Sequence, residues 1–106
     1  MIVVNRFRVP EAEQAAFRDD LDRAHETLAV QKGYVEGRIG RNADDPELWV
    51  LVTAWEGPGA YRRALSAYDV KLAAVPTLSR ALDEPSAYES VVAGEPLNIR
   101  EMRSLG

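Results

Sequence analysis

The chain holds 106 residues, 46% of them hydrophobic and 28% charged, with a formal net charge of −4. That length makes one domain, and the acidic balance argues against a nucleic-acid partner, which needs a clustered basic surface. With no cysteine and a single histidine, His25, disulfides, thiolate chemistry and a zinc site built from protein ligands alone are set aside; Gly33, Gly37 and Gly40 do not match the dinucleotide fingerprint and no Walker motif exists, so no cofactor is expected.

Residues 2–9 alternate and are rich in β-branched side chains, which predicts a strand with Val3, Asn5, Phe7 and Val9 on one face and Ile2, Val4, Arg6 and Arg8 on the other. Pro10 and the acidic Glu11 and Glu13 suit a helix start. A helix is predicted over 11–31, because Phe17, Leu21, Ala24 and Leu28 form one apolar stripe. Gly33 can take the left-handed conformation that ends it. Residues 34–41 read as a second strand, residues 42–46 as a turn containing Asp44 and Asp45, and residues 47–56 as the strongest strand. Gly57-Pro58-Gly59 breaks that strand. A short helix is predicted over 60–67, Asp69 is a candidate cap for another that Pro76 interrupts, and 77–82 continue helically. A last strand is predicted from Tyr88 to Ala93.

The order β-α-β-β-α-β predicts an α+β fold, a ferredoxin-like antiparallel sheet with helices on one face. The domain is expected to span 1–93, with a tail over 94–106 in which Leu97, Ile99 and Met102 stand among charges. The opening residues carry no basic leader with a long apolar segment, and Leu48–Trp55 is too short to cross a bilayer as a helix. A cytoplasmic protein without a membrane partner is the expectation.

The third strand is apolar on both sides: Trp49, Leu51 and Trp55 point one way with Thr53, and Leu48, Val50, Val52 and Ala54 the other. Helices cover one face of such a sheet, and the uncovered face should be polar. Four apolar side chains in a row would make a large exposed patch. A homodimer that packs a second sheet on that face resolves the conflict; a cover of the chain's own C-terminal tail is the alternative.

Val3-Val4-Asn5-Arg6-Phe7, Lys32-Gly33-Tyr34-Val35, and Thr53-Ala54-Trp55-Glu56 followed by Ala60-Tyr61 resemble the antibiotic biosynthesis monooxygenase superfamily, over roughly residues 2–92. The resemblance implies a dimeric α+β barrel with a pocket between sheet and helices in each subunit. It also implies a range of activities: cofactor-independent oxygenation of polycyclic aromatics, haem degradation, and small-quinone chemistry.

On that resemblance, Asn5 matches an asparagine near the ligand, and Trp55 and Tyr61 match an indole and a phenol that line an aromatic substrate's pocket. Their N–H and O–H can donate to a developing oxyanion. His25, at the edge of the apolar stripe, is the candidate general base. Asn5, His25 and Tyr61 are thus the candidate catalytic residues. Trp55, Trp49, Phe7 and Arg38 are the candidate substrate-binding residues, and Arg41, Arg6 and Arg8 are further cations able to steer an anion. Each also has a plainer reading: a satisfied amide, core aromatics, a surface histidine, edge charges.

Three functions follow. The first is a cofactor-independent monooxygenase acting on a small aromatic, quinol or polyketide-type molecule. The second is haem degradation, which the resemblance disfavours because Val75 and Ala64 stand where that branch places a histidine and a tryptophan. The third is a dimer that binds a small ligand without turning it over.

Overall fold

The computed structural model describes residues 1–97. Ile99 and Met102 of the expected tail lie outside the described residues. Strand β1 runs Ile2–Arg8, and a single 3-10 turn, Glu11–Glu13, leads into helix α1, Gln14–Ala29. Strands β2 (Tyr34–Arg41) and β3 (Leu48–Trp55) follow, then helices α2 (Pro58–Ser66), α3 (Tyr68–Ala73) and α4 (Val75–Leu78), and strand β4 (Ala87–Tyr88). The sheet is antiparallel in the order β2-β3-β1-β4, with the helices on one face. This is the ferredoxin-like arrangement that the element order predicts.

The alternation in β1 sets the two faces. Val3, Asn5, Phe7 and Val9 are buried, and so are Trp49, Leu51, Thr53 and Trp55 opposite them on β3. The α1 stripe of Phe17, Leu21, Ala24 and Leu28 closes over these residues and is buried in full. Each large side chain among them contributes about 1.5–3 kcal/mol by leaving water. Phe7 packs on Phe17 with ring centroids 5.1 Å apart, and Phe17 meets Trp49 edge-on at 5.8 Å.

Several boundaries differ from those predicted. The α1 helix stops at Ala29, because Gln31 N–H returns to the Leu28 carbonyl in a tighter turn. Gly33 then takes φ 91°, and a Cβ there would collide with the Ala60 Cβ, so the position demands glycine twice over. The Gly57-Pro58-Gly59 triplet ends β3 as expected, but α2 already begins at Pro58, and Pro76 stands in the first turn of α4. Asp69 lies within the first turn of α3 and accepts the Val70 N–H at 3.0 Å, while Ala67 holds the capping position.

The predicted 88–93 strand is only Ala87–Tyr88. Tyr88 pairs with Ile2, the first residue of β1, so an antiparallel partner runs off the end of the strand there. The turn at 42–46 behaves as expected: Asn42 Oδ1 accepts the N–H groups of Asp44 and Asp45 at 2.9 and 2.8 Å.

Candidate functional site

The side chains of interest form one line across the inner sheet face. Asn5 is 8% exposed, and its amide stands close enough to the Tyr61 hydroxyl to lower the phenol's pKa. The Tyr61 ring rests on Trp55 with centroids 5.3 Å apart. Trp55 is 2% exposed and donates its indole N–H to Thr53 Oγ1 at 2.9 Å, two residues back on the same face of β3. On its other side Trp55 meets Tyr34 edge-on, 5.5 Å between centroids. The Tyr34 hydroxyl closes the line on His25 Nε2 at 2.7 Å.

Each member is held by its element. Asn5 projects inward because the β1 pleat puts it between Val3 and Phe7. Tyr61 comes from the first turns of α2, which Pro58 starts immediately after β3 ends. Tyr34 arrives by an irregularity: it pairs with Trp55 while Glu36 pairs with Ala54, a register shift that marks a β-bulge around Val35. Gly37 leaves the space the pair occupies, for a Cβ there would stand 2.7 Å from both His25 Nε2 and the Tyr34 oxygen.

Burial raises the pKa of the Tyr61 phenol above its ordinary value, an effect that the neighbouring Asn5 amide partly offsets. Burial, then the nearby Glu36 carboxylate, raises that of Tyr34. Both phenols therefore keep their protons at neutral pH and can donate them in hydrogen bonds.

The space under the centre of α1 is filled by the chain's own Phe7, Phe17, Leu21 and Leu51. A hollow of about 390 Å³ instead reaches the inner face at the margin of β1, bounded by Asn5, Leu78, Ala81, Glu84 and Ser86. The Arg6–Glu84 ion pair, with both contacts at 2.7 Å, ties β1 to that margin, and Leu82 N–H donates to the Arg6 carbonyl. A second hollow of about 490 Å³ lies around Ile2, Arg38, Val52 and Ala54. Val52 and Ala54 alternate with the buried Leu51, Thr53 and Trp55, so this hollow lies on the face away from the helices.

The structure therefore brings together Asn5, Tyr61, Trp55 and, through Tyr34, His25. It does not bring Arg38 to them, because Arg38 lines the hollow of the opposite face. Phe7 packs in the central core on Phe17, and Trp49, its register partner, sits at the far end of β3 from Trp55. His25 meets Tyr34 before it could meet a ligand beside Asn5.

Tyr34 was hidden in the sequence. Plain alternation sets it on the outer face with Glu36 and Arg38, and only the bulge reverses that. Val75 and Ala64 offer no atom to bind iron, and among the described residues no three His, Asp or Glu side chains converge as a metal site. No helix of the described residues is long and apolar enough to cross a membrane.

A sequence model of the antibiotic biosynthesis monooxygenase family matches residues 1–74. Solved structures share the fold. SnoaB of Streptomyces nogalater, a cofactor-independent oxygenase, is 26% identical with a TM-score of 0.70, over 89% of this chain and 96% of that one. Rv0793 of Mycobacterium tuberculosis is 16% identical with a TM-score of 0.69, over 89% and 97%. A conserved protein of Methanosarcina mazei is 19% identical with a TM-score of 0.66, over 81% and 84%. No curated protein sequence matches the chain significantly.

Proposed function

Since the chain belongs to the antibiotic biosynthesis monooxygenase family, we propose that it is a cofactor-independent monooxygenase of a small aromatic, anthrone- or quinol-type substrate, working as a homodimer. The observation that carries the reading is the contact of the Tyr61 ring with Trp55, 5.3 Å between centroids, next to a buried Asn5 that a hollow reaches. A hollow of 390 Å³ lies within the roughly 300–1,000 Å³ usual for small-molecule sites. Similarity to SnoaB supports the choice of chemistry.

In this reading the substrate enters at the margin of β1 and sets its ring against Tyr61 and Trp55. Its phenolic or enolic oxygen comes to lie between the Asn5 amide and the Tyr61 hydroxyl. Its acidic proton passes to solvent water at the open margin, and the electron-rich anion that remains is held by the Asn5 amide and the Tyr61 O–H. The anion passes an electron to dioxygen directly. For an anthrone, the ring CH2 and O2 become C=O and H2O: one oxygen atom enters the ring carbon, and the other leaves as water with the two hydrogens. Substrate supplies all the electrons.

His25 is a positioning residue. The hydrogen bond between its Nε2 and the Tyr34 hydroxyl, in which Nε2 accepts when the ring proton is on Nδ1, fixes Tyr34 against Trp55.

Oxygen uptake on a panel of anthrones and quinols tests the proposal. Uptake above buffer is expected, with kcat/KM reduced about 100-fold in Asn5→Ala and in Tyr61→Phe. Saturable binding without uptake would favour a ligand-binding role, and neither binding nor uptake would end both readings.

A further inference from the structure

We propose that a hollow beside Trp49, separate from the one that reaches Asn5, binds a small carboxylate through the Trp49 indole N–H and the guanidinium groups of Arg41 and Arg18. Trp49 and Trp55 lie on one strand six residues apart, roughly 20 Å, and the hollow beside Trp49 shares no lining residue with the one that reaches Asn5. The hollow measures about 380 Å³ and is bounded by Arg18, Asp22, Ile39, Gly40, Arg41 and Trp49.

The carrying observation is an unanswered donor. Trp49 is 9% exposed, and its Nε1 is buried without a hydrogen-bond partner, the one such side-chain atom among the described residues. An indole N–H can only donate, so what it lacks is an acceptor. Buried polar atoms in folded chains nearly always have partners, and Trp55 illustrates the rule by bonding Thr53.

The surroundings are suited to an acceptor that carries negative charge. The Arg41 guanidinium lies 5.9 Å from the centre of the Trp49 ring. It is held by Gln14 Oε1 at 3.1 Å, and Gln14 is itself tethered by its Nε2 to the Pro46 carbonyl at 2.9 Å. A neutral amide thus places the cation and leaves its charge unspent. Among the described residues neither Arg41 nor Arg18 forms an ion pair, even though Asp22 stands one turn from Arg18.

Two guanidiniums against one carboxylate leave one positive charge in excess. That matches a monoanion and disfavours a dianion, which Asp22 would repel. One carboxylate oxygen would take the indole N–H and the other the Arg41 fork, the planar pairing to which guanidinium is suited. Arg41 is exposed and lies over the indole, so it shifts as the ligand seats.

The chain has two tryptophans, so its NMR spectrum carries two indole N–H resonances, which Trp49→Phe assigns. Benzoate and acetate are titrated at constant ionic strength, with chloride as the control. We expect a saturable downfield shift of the Trp49 resonance, a stationary Trp55 resonance, and a Kd raised about tenfold in Arg41→Gln and in Arg18→Gln. Three results would overturn the site. One is a shift that chloride reproduces. Another is undiminished affinity in the double arginine variant. The third is a Trp49 resonance far upfield that no carboxylate moves, which would mean the N–H points into the face of the Phe17 ring.

Discussion

Of the site's side chains, Tyr34 and His25 depend on the narrowest tolerance. Their hydrogen bond crosses the space above Gly37, where any side chain would meet His25, Tyr34 and the Thr53 methyl at 2.7, 2.7 and 3.0 Å. Gly37→Ala should therefore cost about 1–3 kcal/mol, as overpacking does elsewhere, and should displace Tyr34 from Trp55. Urea denaturation reads the first effect and near-ultraviolet circular dichroism the second; an unchanged midpoint would refute the crowding argument. The inward facing of Asn5 and Trp55 was legible from strand alternation, whereas Tyr61 was singled out only by the resemblance of Trp55-Glu56 followed by Ala60-Tyr61 to the family. Tyr34 was not, since a one-residue bulge inverts its face and nothing local announces one.

Among the elements, the short β4 and the segment before it decide access to Asn5. Two backbone hydrogen bonds, Val4 N–H to Ser86 and Leu82 N–H to Arg6, stitch that segment to β1, and the Arg6–Glu84 pair reinforces them. The hydrogen bond from Arg6 holds the Glu84 carboxyl below the usual range of a glutamic acid. A depressed folded-state pKa contributes stability that is present above the unfolded value, and that is lost as pH falls through the folded one. The stitch should therefore loosen in acid, below about pH 4. Glu84→Gln should reproduce the loosening at pH 7, seen as faster amide exchange at Leu82 and Val4 with little change in exchange of the Leu21 and Leu28 amides. Equal protection in the variant would show that the backbone bonds suffice alone. That β4 would be only two residues long could not be read from Tyr88 to Ala93, because its limit is set by where β1 begins, eighty-odd residues away.

At the scale of the whole molecule, the face of β3 turned from the helices carries Leu48, Val50, Val52 and Ala54, all half-buried, beside Ile2 and Val4. The two-sided apolar pattern of that strand was plain in the sequence, and it is the reason we propose that a second copy packs there. Light scattering at micromolar concentration should give a dimer, and Val50→Glu, which sets a charge on that face, should give a folded monomer. A wild-type monomer would refute the pairing.

The central claim is that this chain oxygenates its substrate with dioxygen and no helper. Its most direct test is mass spectrometry of the product formed from an anthrone under heavy-isotope dioxygen, with chelator-treated protein. One heavy oxygen atom per product molecule, formed at a rate that Tyr61→Phe depresses, is the predicted result. Product oxygen drawn from water, or product formed only when a metal or flavin is restored, would contradict it.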